Sequence, residues 1–264
     1  MSKIILPLTL IFAFSFMQKG FGTTHLSKSK HIVFLVNDDD SLNYMAHETI
    51  PEFATLLQNQ SSGKYRTTVI LGKGENESYQ FPNLERINDA DLVVFFLRRV
   101  ALPVKQINLI KNYINSGRPV LGIRTANHAF ALLPNMTPAR GHIVWDSFVA
   151  DVLGCENRGY GAVEWGTNVS ITKENASHPA LLDIDKKWYS KGNVYKVAPL
   201  LDQDAEVLLT GEANEEVQPI AWTRKVNGTL NKVFYTSLGH PEDFKERNFS
   251  LLLMNVINWL TKEP

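Results

Sequence analysis

Asp91-Leu92-Val93-Val94-Phe95-Phe96-Leu97-Arg98-Arg99 is the stretch on which the architecture turns. An apolar run from Leu92 to Leu97 with no polar alternation reads as a strand covered on both faces, and two arginines end it. Upstream, His31-Ile32-Val33-Phe34-Leu35-Val36 is a second such run, followed by the polar turn Asn37-Asp38-Asp39-Asp40-Ser41. A helical pattern then spans His47 to Gln58, with Ile50, Phe53, Ala54 and Leu57 on one face, and Tyr65 to Leu71 reads as another strand. Downstream, Val104 to Ile114 aligns Ile107, Ile110 and Ile114 and stops at Ser116-Gly117, a helix C-cap pattern. Pro119-Val120-Leu121-Gly122-Ile123 is a short further strand. Strands alternating with helices at this spacing predict an α/β, doubly wound, mostly parallel sheet in a three-layer sandwich. Such sheets bind ligands beyond the C-terminal ends of their strands. Asn37–Ser41, Arg98-Arg99 and Arg124–His128 all fall there.

The second half is less regular. Ile143–Leu153 predicts a helix before Gly154, and Val169–Ile171, Val194–Val197, Glu206–Leu209, Pro219–Thr223 and Lys232–Thr236 predict short strands. A last helix is expected over Asn248–Leu260, with Leu251, Leu252, Val256 and Trp259 apolar. No internal repeat or low-complexity linker divides the chain.

Composition excludes partners more than it names them. The 264 residues carry 27 Lys+Arg against 27 Asp+Glu, so there is no basic footprint for nucleic acid. With Cys155 the only cysteine, an internal disulfide, a thiolate zinc site and an Fe–S ligand set are all excluded. At the N-terminus, Lys3 precedes an apolar run from Ile4 to Met17, uncharged until Lys19 and too short for a bilayer span. Gly20 and Gly22 would occupy the −3 and −1 positions of a cleavage site. The expectation is a signal peptide over residues 1–22, a mature domain over 23–264 and no stable membrane span after removal. Losing Lys3 and Lys19 and no acid gives 25 basic against 27 acidic residues, a net charge of −2. Export of a chain with one cysteine fits a bacterial periplasm.

The strongest local motif is a nucleophile elbow without a nucleophile. Gly122-Ile123-Arg124-Thr125-Ala126 has the strand, tight turn and helix layout of that elbow, and Gly239-His240-Pro241-Glu242 follows about a hundred residues later. In class I glutamine amidotransferases, which this pair resembles in order and spacing, a Cys stands where Arg124 stands here. Arginine stays protonated and cannot attack, and Cys155 lies outside the elbow, so amide transfer through a thioester is not expected.

A more specific resemblance spans the mature chain. Gly122-Ile123-Arg124-Thr125-Ala126-Asn127-His128-Ala129-Phe130, Trp145-x-x-Phe148 with Val152-Leu153-Gly154, His178-Pro179, Tyr195-Lys196 with Pro199-Leu200, and Val233 to Phe244 through Gly239-His240-Pro241-Glu242 are similar to the trehalose-utilisation (ThuA-like) family. Arg98-Arg99-x-Ala101-Leu102 also resembles the end of that family's third strand. The resemblance implies a flavodoxin-type, amidotransferase-like fold lacking the catalytic Cys. It also implies a role in bacterial sugar catabolism associated with trehalose and 3-keto glycosides. One departure stands out: many members carry one or two His after the glycine matching Gly159, where this chain has Tyr160-Gly161.

Taken by chemistry, Arg98, Arg99 and Arg124 are fixed donors for sugar hydroxyls, a carboxylate or an enolate oxygen. His128 and His240 are candidate acid–base groups, with Glu242 to orient His240. Asp38, Asp39 or Asp146 would accept sugar hydroxyls, and Trp145, Tyr160 and Trp165 would stack on a pyranose. Each has a plainer reading: a solvated strand end for the arginines, a turn with a helix-start carboxylate for His240-Pro241-Glu242, core packing for the aromatics. His128, His240, Glu242 and Asp38 would suit a divalent metal if they converged, but no tight His spacing announces one, and the cofactor stays open. Three functions follow: an enzyme acting on a keto-glycoside or disaccharide by acid–base chemistry, a non-catalytic carbohydrate-binding accessory protein, or a thiol hydrolase using Cys155. In the first two the partner is a small-molecule carbohydrate.

Overall fold

A computed structural model describes residues 28–38, 43–226 and 232–262. The expected signal segment and Asp39 lie outside the described residues. In chain order the elements are β1 (Lys30–Asn37), α1 (Ala46–Gln60), β2 (Tyr65–Gly72), β3 (Leu92–Phe96), β4 (Leu102–Pro103), α2 (Val104–Asn115), β5 (Val120–Ile123), β6 (His142–Ile143), β7 (Thr167–Ile171), β8 (Lys187–Ser190), β9 (Glu206–Ala213), β10 (Glu216–Lys225), β11 (Lys232–Thr236) and α3 (Arg247–Leu260). Nine of these strands form one sheet in the order β2-β1-β3-β5-β11-β10-β9-β7-β8. The pairs from β2 through β11 are parallel. Those from β11 out to β8 are antiparallel. The expected doubly wound α/β sandwich is therefore present, with an antiparallel wing built by the less regular half of the sequence.

Strand alternation explains the three layers. In β1, Ile32, Phe34 and Val36 enter one core with Ile50, Phe53 and Leu57 of α1 and Leu252, Leu253 and Val256 of α3. Val33 and Leu35 enter the other, with Ile107, Ile110 and Ile114 of α2. Because both faces are covered, the central strands needed unbroken apolar runs. β2 and β3 lie on opposite sides of β1, so the strand order reverses there and opens a crevice above the C-terminal ends of β1, β3 and β5.

Three expectations change. Ile143–Leu153 is not one helix: His142–Ile143 pairs with Leu102–Pro103, and only Val149–Leu153 coils, as a π-turn ended by Gly154 in a left-handed conformation. Val194–Val197 is not a strand. Its backbone is spent on the Arg158–Gly161 loop, through Arg158 N–H to Lys196 O, Lys196 N–H to Gly159 O and Gly161 N–H to Val194 O. After the elbow there is a single 3-10 stretch, Arg124–His128, in place of a longer helix. No helix among the described residues is long and apolar enough to cross a membrane.

Candidate functional site

β5 delivers the elbow. Arg124 takes a φ of +44°, a left-handed conformation costly for a side chain of this size and most often found at functional turns. Its carbonyl accepts the Tyr235 hydroxyl at 2.7 Å, and its side chain is fully buried. The guanidinium donates from Nη1 to Ser237 O at 2.8 Å and from Nη2 to Asn193 Oδ1 at 2.7 Å. Its central carbon lies 3.9 Å from the Tyr44 ring centre and 5.0 Å from that of Tyr195. Gly192 is required beside it, since a Cβ there would stand 2.7 Å from Nη1. No carboxylate lies within ion-pair distance among the described residues, and Nε has no partner. A buried cation is tolerated only with hydrogen bonds or π faces around it, and this one uses both.

The charge propagates to its neighbours. Burial alone would lower the Arg124 pKa, but the facing phenols and the Asp243 carboxylate leave it raised. Burial opposes ionisation of Tyr44, yet the guanidinium outweighs it and holds that phenol below its ordinary value. Tyr195, more deeply buried, moves the other way.

Above this layer a cleft has two adjoining lobes of about 590 and 750 Å³, and Arg99, His128 and Tyr160 line both. Asp146, Cys155, Glu156 and Asn157 belong to the smaller lobe. Tyr44, Met45, Arg98, Asn193 and Tyr195 belong to the larger. His128 is 5% exposed, and its Nδ1 lies 2.5 Å from Asn127 Oδ1. The nearest partner of Nδ1 is an amide oxygen, which suits the tautomer with the proton on Nδ1 and the lone pair on Nε2; Asn157 Nδ2 and the Tyr160 hydroxyl stand farther off, each 3.4 Å from Nδ1. Nε2 has no hydrogen bond among the described residues. Burial, then the charges of Arg99, Arg98 and Arg124, hold the His128 pKa well below its ordinary value, so the ring is neutral at neutral pH.

Of the residues expected from sequence, Arg98, Arg99, His128, Tyr160 and Asp146 meet in the cleft, with Arg124 directly beneath Tyr44 and Tyr195. The others stand apart. His240 lines neither lobe: it packs edge-on to Tyr44, and its Nδ1 accepts the backbone N–H of Glu242 at 3.3 Å. The Glu242 carboxylate turns away to Lys245 at 2.7 Å and Lys191 at 3.6 Å. The acid that organises this turn is the buried Asp243, which accepts from Gly239 N, His240 N and Ser190 Oγ. Trp145 stacks on Phe130 beneath the Lys111 ammonium, and Asp38 is tied to the Tyr79 hydroxyl. Among the described residues no three His, Cys, Asp or Glu are grouped to hold a metal. Cys155 is buried, and burial pushes its thiol up to about 12, which removes a thiolate nucleophile.

Sequence reasoning missed Tyr44, Asn193 and Tyr195 as site residues. Only Tyr195 carried a signal, as part of the Tyr195-Lys196 motif. Tyr44 reaches the cleft because it and Met45 both take φ of +53°, which no pattern announces.

The model of the family described as trehalose utilisation matches residues 21–260. Among solved structures, a ThuA-like protein from Bacteroides uniformis ATCC 8492 superposes with a TM-score of 0.61 at 16% identity, covering 90% of this chain and 94% of its own. A ThuA-like protein from Parabacteroides merdae ATCC 43184 gives 0.58 at 12% identity, covering 89% and 91%. The mmIFT52 N-terminal domain gives 0.54 at 14% identity, covering 88% and 98%. No curated protein matches the sequence.

Proposed function

Since the chain belongs to the ThuA, or trehalose-utilisation, family, we propose that it is an exported enzyme of bacterial carbohydrate catabolism that moves a proton beside the carbonyl of a keto-glycoside or keto-disaccharide. The observation that carries this reading is the unpartnered Nε2 of neutral His128 at the junction of two lobes, with Arg99 lining both. Nε2 takes the proton from the carbon next to the carbonyl, and the C–H electron pair becomes that of the enolate. The enolate oxygen takes its hydrogen bonds from Arg99. Expulsion of a β-substituent, or return of the proton to a neighbouring carbon, completes an elimination or an isomerisation. A base with a depressed pKa is weak, and it suffices because guanidinium donors acidify the carbon it must deprotonate. His240 supports the Tyr44 and Arg124 layer from outside the cleft.

The decisive experiment offers 3-keto-trehalose and 3-keto-glucosides to wild type and His128→Gln. Turnover is expected to fall about 10²- to 10⁴-fold in the variant, and undiminished turnover would remove His128 from the chemistry. A non-catalytic carbohydrate-binding protein is the second reading, favoured by Tyr160 in place of the family's His. It predicts binding of these sugars without turnover by either protein. Export rests on the Lys3 to Gly22 pattern. The protein recovered from the periplasm of a bacterial host should begin at Thr23, and an uncleaved Met1 terminus would contradict it.

A further inference from the structure

The two lobes differ in charge. Among the described residues, the smaller contains Asp146 and Glu156, whereas the larger contains no acid and has both Arg98 and Arg99 in its wall. Successive residues of a strand point to opposite faces. Beyond the end of β3, Arg98 and Arg99 reach the same lobe, with Arg99 at a φ of +52°. The turn is held from below: Arg98 N donates to Asn37 Oδ1 at 2.8 Å, Asn43 Nδ2 bridges Asn37 Oδ1 and Phe96 O, and Thr125 Oγ1 donates to Asn43 Oδ1. Arg99 N donates to His128 O at 3.0 Å. A strained turn fixed by a buried polar network thus presents two adjacent cations. Neither guanidinium has an ion pair among the described residues, and Arg99 Nε is buried without a hydrogen bond. Such a pair repels itself, and an unpaired buried donor is costly, unless an anion completes it. Apart from His128 and Asn193, the rest of the described wall is apolar or aromatic, including Met45, Leu133, Val163 at 66% exposure and Tyr160 at 41%. Among the described residues, no carboxylate in it would accept the hydroxyls of a second neutral sugar.

We propose that the larger lobe is a subsite for a carboxylate carried on an apolar or aromatic ring, which makes the substrate class glycosides of acidic aglycones. The proposal deepens the reading above, since it places the sugar ring in the smaller lobe beside Asp146 and Glu156. Arg98, which lines the larger lobe alone, takes the carboxylate, and Arg99 is left to the reacting carbon. Binding of fragments separates it from the catalytic reading, because no turnover is involved.

Calorimetry at low salt with benzoate, benzyl alcohol and inorganic phosphate tests it on wild type and Arg98→Gln. Benzoate is expected to bind wild type about tenfold to hundredfold more tightly than benzyl alcohol, the worth of a charge-assisted hydrogen bond. Arg98→Gln should erase that preference while leaving the weak alcohol binding and the melting temperature unchanged, because the Arg98 guanidinium has no described partner to lose. High salt should weaken benzoate alone. Equal binding of benzoate and benzyl alcohol, no benzoate binding at all, or a preference that survives in Arg98→Gln would overturn the subsite. Phosphate binding as tight as benzoate would overturn the requirement for an apolar ring.

Discussion

A single histidine shows how burial and charge can set a chemical role. His128 is pressed by desolvation and by three arginines toward its neutral form, while Asn127 holds its Nδ1 and leaves Nε2 without a partner among the described residues. If Nε2 is the base, kcat/KM should stay flat from pH 8 down through the ordinary histidine value of 6.5 and fall only at more acid pH, as His128 finally protonates. A limb centred at or above 6.5 would assign the base to a group without that electropositive surround. The same residue scale explains what Arg124 does at the elbow. The turn is left-handed, and its side chain is a buried strut clamped between Tyr44 and Tyr195 and tied to Asn193 and Ser237. Truncation there would leave both carbonyl acceptors buried and unpaired, a greater loss than the packing alone.

At the scale of elements, legibility followed the period of the apolar residues. β1, β3 and β5 are covered on both faces, so their unbroken runs were readable to within a residue, as were α2 and α3 from their 3.6-residue stripes. β8 was not readable: Lys187-Trp188-Tyr189-Ser190 is an edge strand with Lys187 and Tyr189 exposed, so little burial constrains its composition. Val194–Val197 reads as a strand because Val194, Tyr195 and Val197 are buried in the two cores, yet the backbone of this segment pairs with the Arg158–Gly161 loop and not with a strand of the sheet. The candidate site divides on the same line. Residues carried rigidly by strand ends, Arg98, Arg99, Arg124 and His128, were placed by counting from the strands. Tyr44, Asn193 and the Asp243 turn depend on left-handed backbone and long-range loop contacts that have no period. The His240-Pro241-Glu242 motif was legible as a motif, but its pairing was not: the acid beneath it is the residue after Glu242.

For the whole molecule, the same burial that tunes the site tilts stability toward neutral and mildly basic pH. His31, His128, His178 and His240 are all held below the ordinary histidine value, each with desolvation as the leading cause. In the unfolded chain these groups protonate near 6.5, so below that pH the unfolded state binds more protons than the fold and unfolding becomes easier. The stabilisation is complete above 6.5 and is lost as pH falls toward the folded-state values. For the two most buried rings, His31 and His128, the slope is about 1.4 kcal/mol per pH unit each while the fold keeps them neutral. Asp89 and Asp202, lowered chiefly by their arginine partners Arg66 and Arg224 against desolvation, add a loss of the same sign only near and below their ordinary value of 3.8. At the basic end, burial raises Tyr113, Tyr195 and Tyr235, so ionisation of the unfolded chain erodes stability only above about 10. Urea unfolding across pH should therefore show a plateau between roughly 6.5 and 10 and a decline beginning below 6.5, well before any carboxylate titrates. His128→Gln should flatten that decline by about one proton's share. A profile that is flat to pH 5, or that rises on acidification, would mean that these rings are not buried as neutral groups, and the base assigned to His128 would fail with it.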